Sequence, residues 1–293
     1  MPPIFQKEAG GVVAFYHVAK TGGSTIRGFL ERLSRERSSE FRYIRFTNGP
    51  DRNIQATNET TTTSGSRCVP SGRKKSKMRT FHESIKTRLL SNSTEPQKTL
   101  LFKWHGESMG LKNLAPYIQQ WRSMSHTHNT PFFAFALVRD PIPFAVSCFK
   151  FFHLGCELSW CEHDQYDNAT EDNLLLSVKP NQQCFLLTHT SANERMHPSF
   201  YQQCKVTQNA CEATYETMKD SLDWIGTTDK LSTETMPLLS YLLEPDRVTS
   251  VRNRDKNVSS KLPFEQSLNE STITQLRSLS NYDQMIYDQV KRD

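Results

Sequence analysis

The chain has no apolar run approaching the length of a bilayer span, and its amino terminus carries no signal-peptide core. Membrane attachment is therefore expected only through an anchor outside this chain. Its seven cysteines include no CxxC pair, which argues against a zinc ribbon or a thioredoxin-like site. An Asp-rich cluster is also lacking, so no metal is expected. Hydrophobic residues make up 36% of the 293 and mean hydropathy is −0.62, low for a compact enzyme, which implies loop lying outside the core. The length still suits one open α/β sheet with insertions.

The net charge of +5 is not a property of the whole chain. Between Arg67 and Arg88 stand eight Lys or Arg and one acid, Glu83, so this window carries +7 and the remainder is slightly acidic. The excess belongs to a patch or tail. A solvated loop accounts for it, and no nucleic-acid partner is expected from it. It lies within 48–97, where Thr60–Thr63, Ser64-Gly-Ser66 and Ser91-Asn-Ser-Thr94 read as a flexible insertion with one short helical possibility at 81–90. Spacing suggests small disulfide loops for Cys156 with Cys161 and for Cys204 with Cys211, and the odd count leaves a free thiol. Asn-x-Ser/Thr sequons stand at Asn58, Asn92, Asn168, Asn257 and Asn269. Cysteines and sequons together lean toward a secretory lumen and a glycoprotein.

What is present is concentrated in Val12–Leu33. Val12 to Val18 is nearly uninterrupted apolar and aromatic sequence, the pattern of a strand buried on both faces of a parallel sheet. Lys20-Thr21-Gly22-Gly23-Ser24-Thr25 then turns the chain, and Ile26, Phe29, Leu30 and Leu33 recur at helical spacing, so a helix is expected to start at Ser24 or Thr25. The adjacent glycines let backbone N–H groups surround a bulky anion at a helix N-terminus. A helix merely packed on a strand is the alternative use of those glycines. In a Walker A loop the lysine follows the last glycine, whereas Lys20 precedes both, which disfavours a standard ATP or GTP site.

Further along, Phe41–Phe46 alternates like a half-exposed strand and Thr99–Trp104 reads as a core strand ending in His105-Gly106-Glu107. Leu111–Trp121 is an amphipathic helix and Ser123–Asn129 a polar link. Phe132–Val138 is a third apolar strand, running into Arg139-Asp140-Pro141 with Ser147 in the helix that follows. Guanidinium binds phosphate bidentately and a hydroxyl adds a directed hydrogen bond, so Arg139 and Ser147 can converge on one anion.

The run His17-Val-Ala-Lys-Thr-Gly-Gly-Ser-Thr25 resembles the 5′-phosphosulfate loop of Golgi-type carbohydrate sulfotransferases, H-x-P-K-T-G-G-T-S, with Ala19 at the proline. Arg139 to Phe149 resembles the 3′-phosphate element of the same family, R-D-P-x-x-R-x-x-S-x-[YF], with Phe144 at the second arginine. Asn181–Leu186 is similar to an N-x-Q-T-R-x-L segment without its Thr and Arg. Leu222–Thr227 and Asn281–Tyr287 resemble the late W-[IV]-G strand and the terminal D-x-x-[LI]-Y helix.

The resemblance implies the sulfotransferase fold, a P-loop-like open parallel sheet flanked by helices. It implies transfer of the sulfuryl group of 3′-phosphoadenosine 5′-phosphosulfate (PAPS) to a hydroxyl of a carbohydrate acceptor. Lys20 through Thr25 would hold the 5′-phosphate and Arg139 with Ser147 the 3′-phosphate. Lys20 would be catalytic, and either His105 or Glu107 the base. The implied location is the Golgi lumen; a chain without an anchor would instead be cytoplasmic. Two rivals are a sulfotransferase-like protein that binds a nucleotide or glycan without transfer, and a magnesium-dependent phosphotransferase on a variant loop.

Overall fold

Two seven-residue strands, β1 (Gly11–His17) and β4 (Phe132–Val138), are buried at every position and lie side by side in parallel. Burial on both faces is what their continuous apolar sequence requires, since an alternating strand would leave one face to water. The computed structural model describes residues 5, 10–46, 82–87, 89–90, 98–105, 110–154, 165–188, 206–246, 262, 264 and 267–293. In chain order the elements are β1, α1 (Gly23–Glu36), β2 (Phe41–Phe46), β3 (Thr99–His105), α2 (Leu111–Thr127), β4, α3 (Pro141–Phe152), α4 (Glu171–Ser177), α5 (Gln182–Thr188), α6 (Gln208–Ser221) and β5 (Trp224–Thr227). A π-helical turn (Leu231–Thr235), α7 (Met236–Leu243), α8 (Glu270–Leu279) and α9 (Asn281–Arg292) follow. The protein is thus α/β, with an all-parallel five-stranded sheet in the order β2-β3-β1-β4-β5.

Alternate strand residues point to opposite faces and build two separate cores. On one face Val13, Phe15, Leu101, Phe133, Phe135 and Leu137 pack against Ile26, Phe29, Leu30 and Leu33 of α1 and against α7. On the other, Val12, Ala14, Tyr16, Phe102, Trp104, Ala134 and Ala136 meet α2, α5, α6 and α9. The sheet is therefore covered on both sides, and its C-terminal edge is where the loops after β1 and β4 emerge.

Two expectations need correction. The helix after β3 does not stop at Trp121 but runs to Thr127, through the stretch read as a polar link. Ser125 is buried there with its hydroxyl on the Thr130 carbonyl, and Arg122 donates to the Ser221 carbonyl at 2.8 Å, so polar residues are held by partners the local pattern does not show. Most of 48–97 lies outside the described residues, and 82–87 with 89–90 are helical, within the short helix expected at 81–90. Ile85 and Leu89, each 1% exposed, join the core, and Trp121 Nε1 donates to His82 Nδ1 at 3.0 Å. An i, i+4 apolar pair suffices to dock one short helix in an otherwise polar stretch.

Cysteine pairing also differs. Cys211 is bonded to Cys184, not to Cys204, joining α6 to α5 with 5.7 Å between Cα atoms. The two helices pack against each other, and Thr188 and Thr214 hydroxyls lie 3.0 Å apart beside the bridge, so proximity in space overrides spacing in sequence. Cys204, Cys156 and Cys161 lie outside the described residues; Cys148 is buried. Breaking the bridge with Cys211→Ala should cost about 3–4 kcal/mol, from closure of a loop spanning 27 residues. Denaturant unfolding measures this, and a cost below about 1 kcal/mol would show that the α5–α6 packing stands without it.

Candidate anion site at the carboxyl ends of β1 and β4

Parallel neighbours leave a sheet at the same edge. After β1 the chain turns to α1 on one face, and after β4 it enters α3, whose Phe144, Cys148 and Phe152 belong to the core of the other. The crevice between two such strand ends is the topological switch point, where open α/β sheets take ligands.

The loop after β1 is built on left-handed backbone. Lys20 has φ 63° and Gly22 has φ 77°, the first an uncommon conformation for a residue with a side chain. Thr21 is fully buried, and its hydroxyl donates to the Val18 carbonyl at 2.8 Å, so this side chain closes the turn. Helix α1 begins at Gly23, one residue before the expected start, with Gly22 as its N-cap. It has no side-chain cap and no acid in its first turn, so neither its N-cap residue nor a first-turn acid occupies its N-terminal N–H groups and positive dipole end. Ser24 and Thr25 sit half-buried in that turn. Gly23 is required by proximity: a β-carbon there would come within 1.9 Å of His17 Nε2 at the end of β1.

Arg139, the residue after β4, reaches across to this loop. Its Nη1 donates to the Lys20 carbonyl at 3.1 Å, tying the two sequence signatures together across adjacent strands. The Lys20 ammonium lies 4.0 Å from the ring centroid of Phe151, near the end of α3. Burial holds the Lys20 pKa below the usual lysine range, helped by like charge on Arg139 and Lys150 and opposed by Cys148. Arg139 and Lys150 thus both act electrostatically on Lys20, in the loop that leads into α1. Ser147, half-buried, stands one turn before Phe151 and shares its helix face. Asp140 caps α3 by accepting the Ile142 N–H at 3.0 Å, and Pro141 occupies the first helical turn. Phe144, where the family pattern has an arginine, is 2% exposed in the core.

His105 is the last residue of β3, opposite His17 in the parallel ladder, so its backbone belongs to the same edge of the sheet. Glu107 lies outside the described residues. Among the described residues no group of three His, Cys, Asp or Glu is gathered for a metal ion, and no helix is long and apolar enough to cross a membrane.

Residues given no individual role from the sequence complete the arrangement. Lys150 and Phe151 were accessible through spacing alone, three and four positions beyond Ser147 on one helix. Gln183 stands at the glutamine of the N-x-Q-T-R-x-L resemblance, and the structure gives it partners: its side-chain Oε1 accepts the Arg139 N–H at 2.9 Å, and its Nε2 donates to the Arg139 carbonyl at 2.7 Å. Asp283 of α9 accepts the Gln183 and Cys184 N–H groups at 3.0 and 2.7 Å. Burial pushes its carboxyl up to about 7, against the pull of those two donors. Four residues on, the Tyr287 hydroxyl donates to Asp229 Oδ1 at 2.9 Å. The preceding Thr228 holds the Val138 carbonyl through both its N–H and its hydroxyl, at 2.9 and 3.0 Å.

No protein-family model matches the chain, and no curated protein matches it significantly in sequence. Fold and site define an α/β protein with cationic side chains at its switch point.

Gly23→Ala should weaken binding of phosphate-bearing ligands at least about tenfold, because the loop must shift to clear the imidazole. Adding His17→Ala should recover part of the loss; an identical loss in single and double variants would mean that His17 does not shape the loop. Because its pKa is lowered, Lys20 loses its charge at a lower pH than an ordinary lysine as pH rises. Anion affinity should accordingly fall on the alkaline side below the usual lysine range, and Lys20→Arg should move that fall upward. A titration of affinity against pH checks both.

Proposed function

We propose that this protein is a sulfotransferase that moves the sulfuryl group of PAPS to a hydroxyl of a carbohydrate acceptor, within a sulfotransferase-type P-loop-like fold. The observation that carries the reading is the Arg139–Lys20 contact, which brings both halves of a two-phosphate signature to one crevice. Either half alone would suit many anions. Together they suit a nucleotide with phosphates at both ends, the feature that separates this donor from ATP.

On this reading the N-terminal N–H groups of α1, with Ser24 and Thr25, hold the 5′-phosphate. Arg139 and Ser147 hold the 3′-phosphate. The acceptor oxygen attacks sulfur in line, an O–S bond forms, and the bond from sulfur to the 5′-phosphate oxygen breaks. Lys20 neutralises charge developing on that leaving oxygen, which departs on 3′-phosphoadenosine 5′-phosphate. His105 or Glu107 takes the acceptor proton. Charge neutralisation by Lys20, Arg139 and Lys150 does what a divalent cation does in phosphoryl transfer. The disulfide between Cys184 and Cys211 favours a secretory lumen, the Golgi by resemblance, for a chain that would meet glycan acceptors there.

A second reading, a sulfotransferase-like protein that holds a nucleotide or glycan without transfer, is favoured by Phe144, Cys184 and Phe185. These are core residues where the family pattern carries Arg, Thr and Arg.

Isothermal titration should show 3′-phosphoadenosine 5′-phosphate binding well ahead of ADP, and equal affinity would overturn the donor assignment. Lys20→Ala should then cut sulfate transfer at least about a hundredfold, the scale of losing one oxyanion donor. Tight nucleotide binding with no transfer to any glycan would select the second reading.

A further inference from the structure

We infer that Gln183, held by Asp283 of the last helix, is the positioning residue that sets Arg139 toward the anion. The inference rests on the proposed donor site for its ligand but on the hydrogen bonds alone for its geometry. Arg139 is the first residue beyond β4, so the parallel ladder that satisfies the backbone of its strand has ended. An N–H and a carbonyl left there half-buried need partners. The amide of Gln183 provides both, accepting at 2.9 Å and donating at 2.7 Å, in the manner of one more strand residue. No other side-chain type of that length both accepts and donates in this way at neutral pH.

The clamp is itself fixed on the opposite side. Asp283 accepts two consecutive N–H groups, of Gln183 and Cys184. Asn181, at φ 51°, donates its N–H to the Leu279 carbonyl at 2.8 Å and accepts the Tyr282 N–H on its side chain at 2.8 Å. The segment 181–184 is thereby stapled to the junction of α8 and α9, and Cys184 adds the covalent link to α6. Its only reach toward the anion crevice among these bonds is through Gln183 to Arg139. The side chain of Arg139 can span from its own backbone to the Lys20 carbonyl only while that backbone is held.

The test compares Gln183→Ala and the isosteric Gln183→Glu with the natural chain, using three readouts: affinity for 3′-phosphoadenosine 5′-phosphate, affinity for AMP, and thermal melting. Gln183→Glu keeps the acceptor for the Arg139 N–H, loses the donor and keeps the shape, so it reports even where the alanine variant folds poorly. The expected result is a loss on the order of tenfold for the doubly phosphorylated nucleotide, AMP affinity unchanged within about twofold, and melting of the Glu variant within a few degrees. Unchanged affinity for both ligands in a folded variant would overturn the inference. So would equal losses for both, which would make Gln183 a structural support only. A fourth readout keeps the inference separate from the donor assignment: the rate at which phenylglyoxal modifies Arg139, followed by peptide mass. That rate should rise several-fold in both variants even where the natural chain proves not to prefer the doubly phosphorylated nucleotide, and an unchanged rate would overturn the positioning role.

Discussion

The parallel pairing of β1 with β4 is the constraint on which the rest of this structure depends. The strands are separated by more than a hundred residues, yet their register, Val12 with Phe132 through Tyr16 with Ala136, brings their last residues level. Lys20 and Arg139 are then neighbours by construction, one a short loop past its strand and the other immediately after. Burial first, and repulsion from Arg139 and Lys150 second, disfavour the charged form of Lys20, as its lowered pKa expresses. The apolar faces of the sheet supply the stability against which this local repulsion is set.

That constraint was legible in the sequence to the extent that it is periodic. Continuous apolar runs over 12–18 and 132–138 announced strands buried on both faces, and the glycine pair after a lysine announced a turn into a helix. What could not be read was everything decided by distant partners. The helix through Ser123–Thr127 looks polar although its buried serine is satisfied by Thr130, and the pattern at 81–90 offers a helix without showing the core that Ile85 and Leu89 enter. Cys184 and Cys211 are 27 positions apart, and only the packing of two helices brings them together. The candidate base falls between these cases: β3 ends at His105 as its pattern requires, while Glu107 lies outside the described residues.

The polar contacts behind the site follow a division of labour. Residues on the crevice side carry charge and stand on loops, where the chain is free to present them. Residues behind them carry hydrogen bonds and come from α9, whose Asp283 and Tyr287 project from one face a turn apart. Asp283 braces the segment that clamps Arg139, and Tyr287 braces Asp229 in the loop whose Thr228 and Leu231 lie against Gly22. One helix at the end of the chain thus supports both margins of a crevice formed by strands from its first half. A buried carboxylate in this position is favoured over an apolar residue because the α5 backbone presents two N–H groups that burial would otherwise leave unsatisfied.

The departure at Phe144 can be understood in the same terms. On α3 that position faces the core and is 2% exposed, so an arginine there would have to bury its charge or rotate the helix to reach the crevice. Lys150 stands six residues further along the same helix, is half-buried, and acts electrostatically on Lys20. Its positive charge therefore stands next in the chain to Phe151, whose ring touches the Lys20 ammonium.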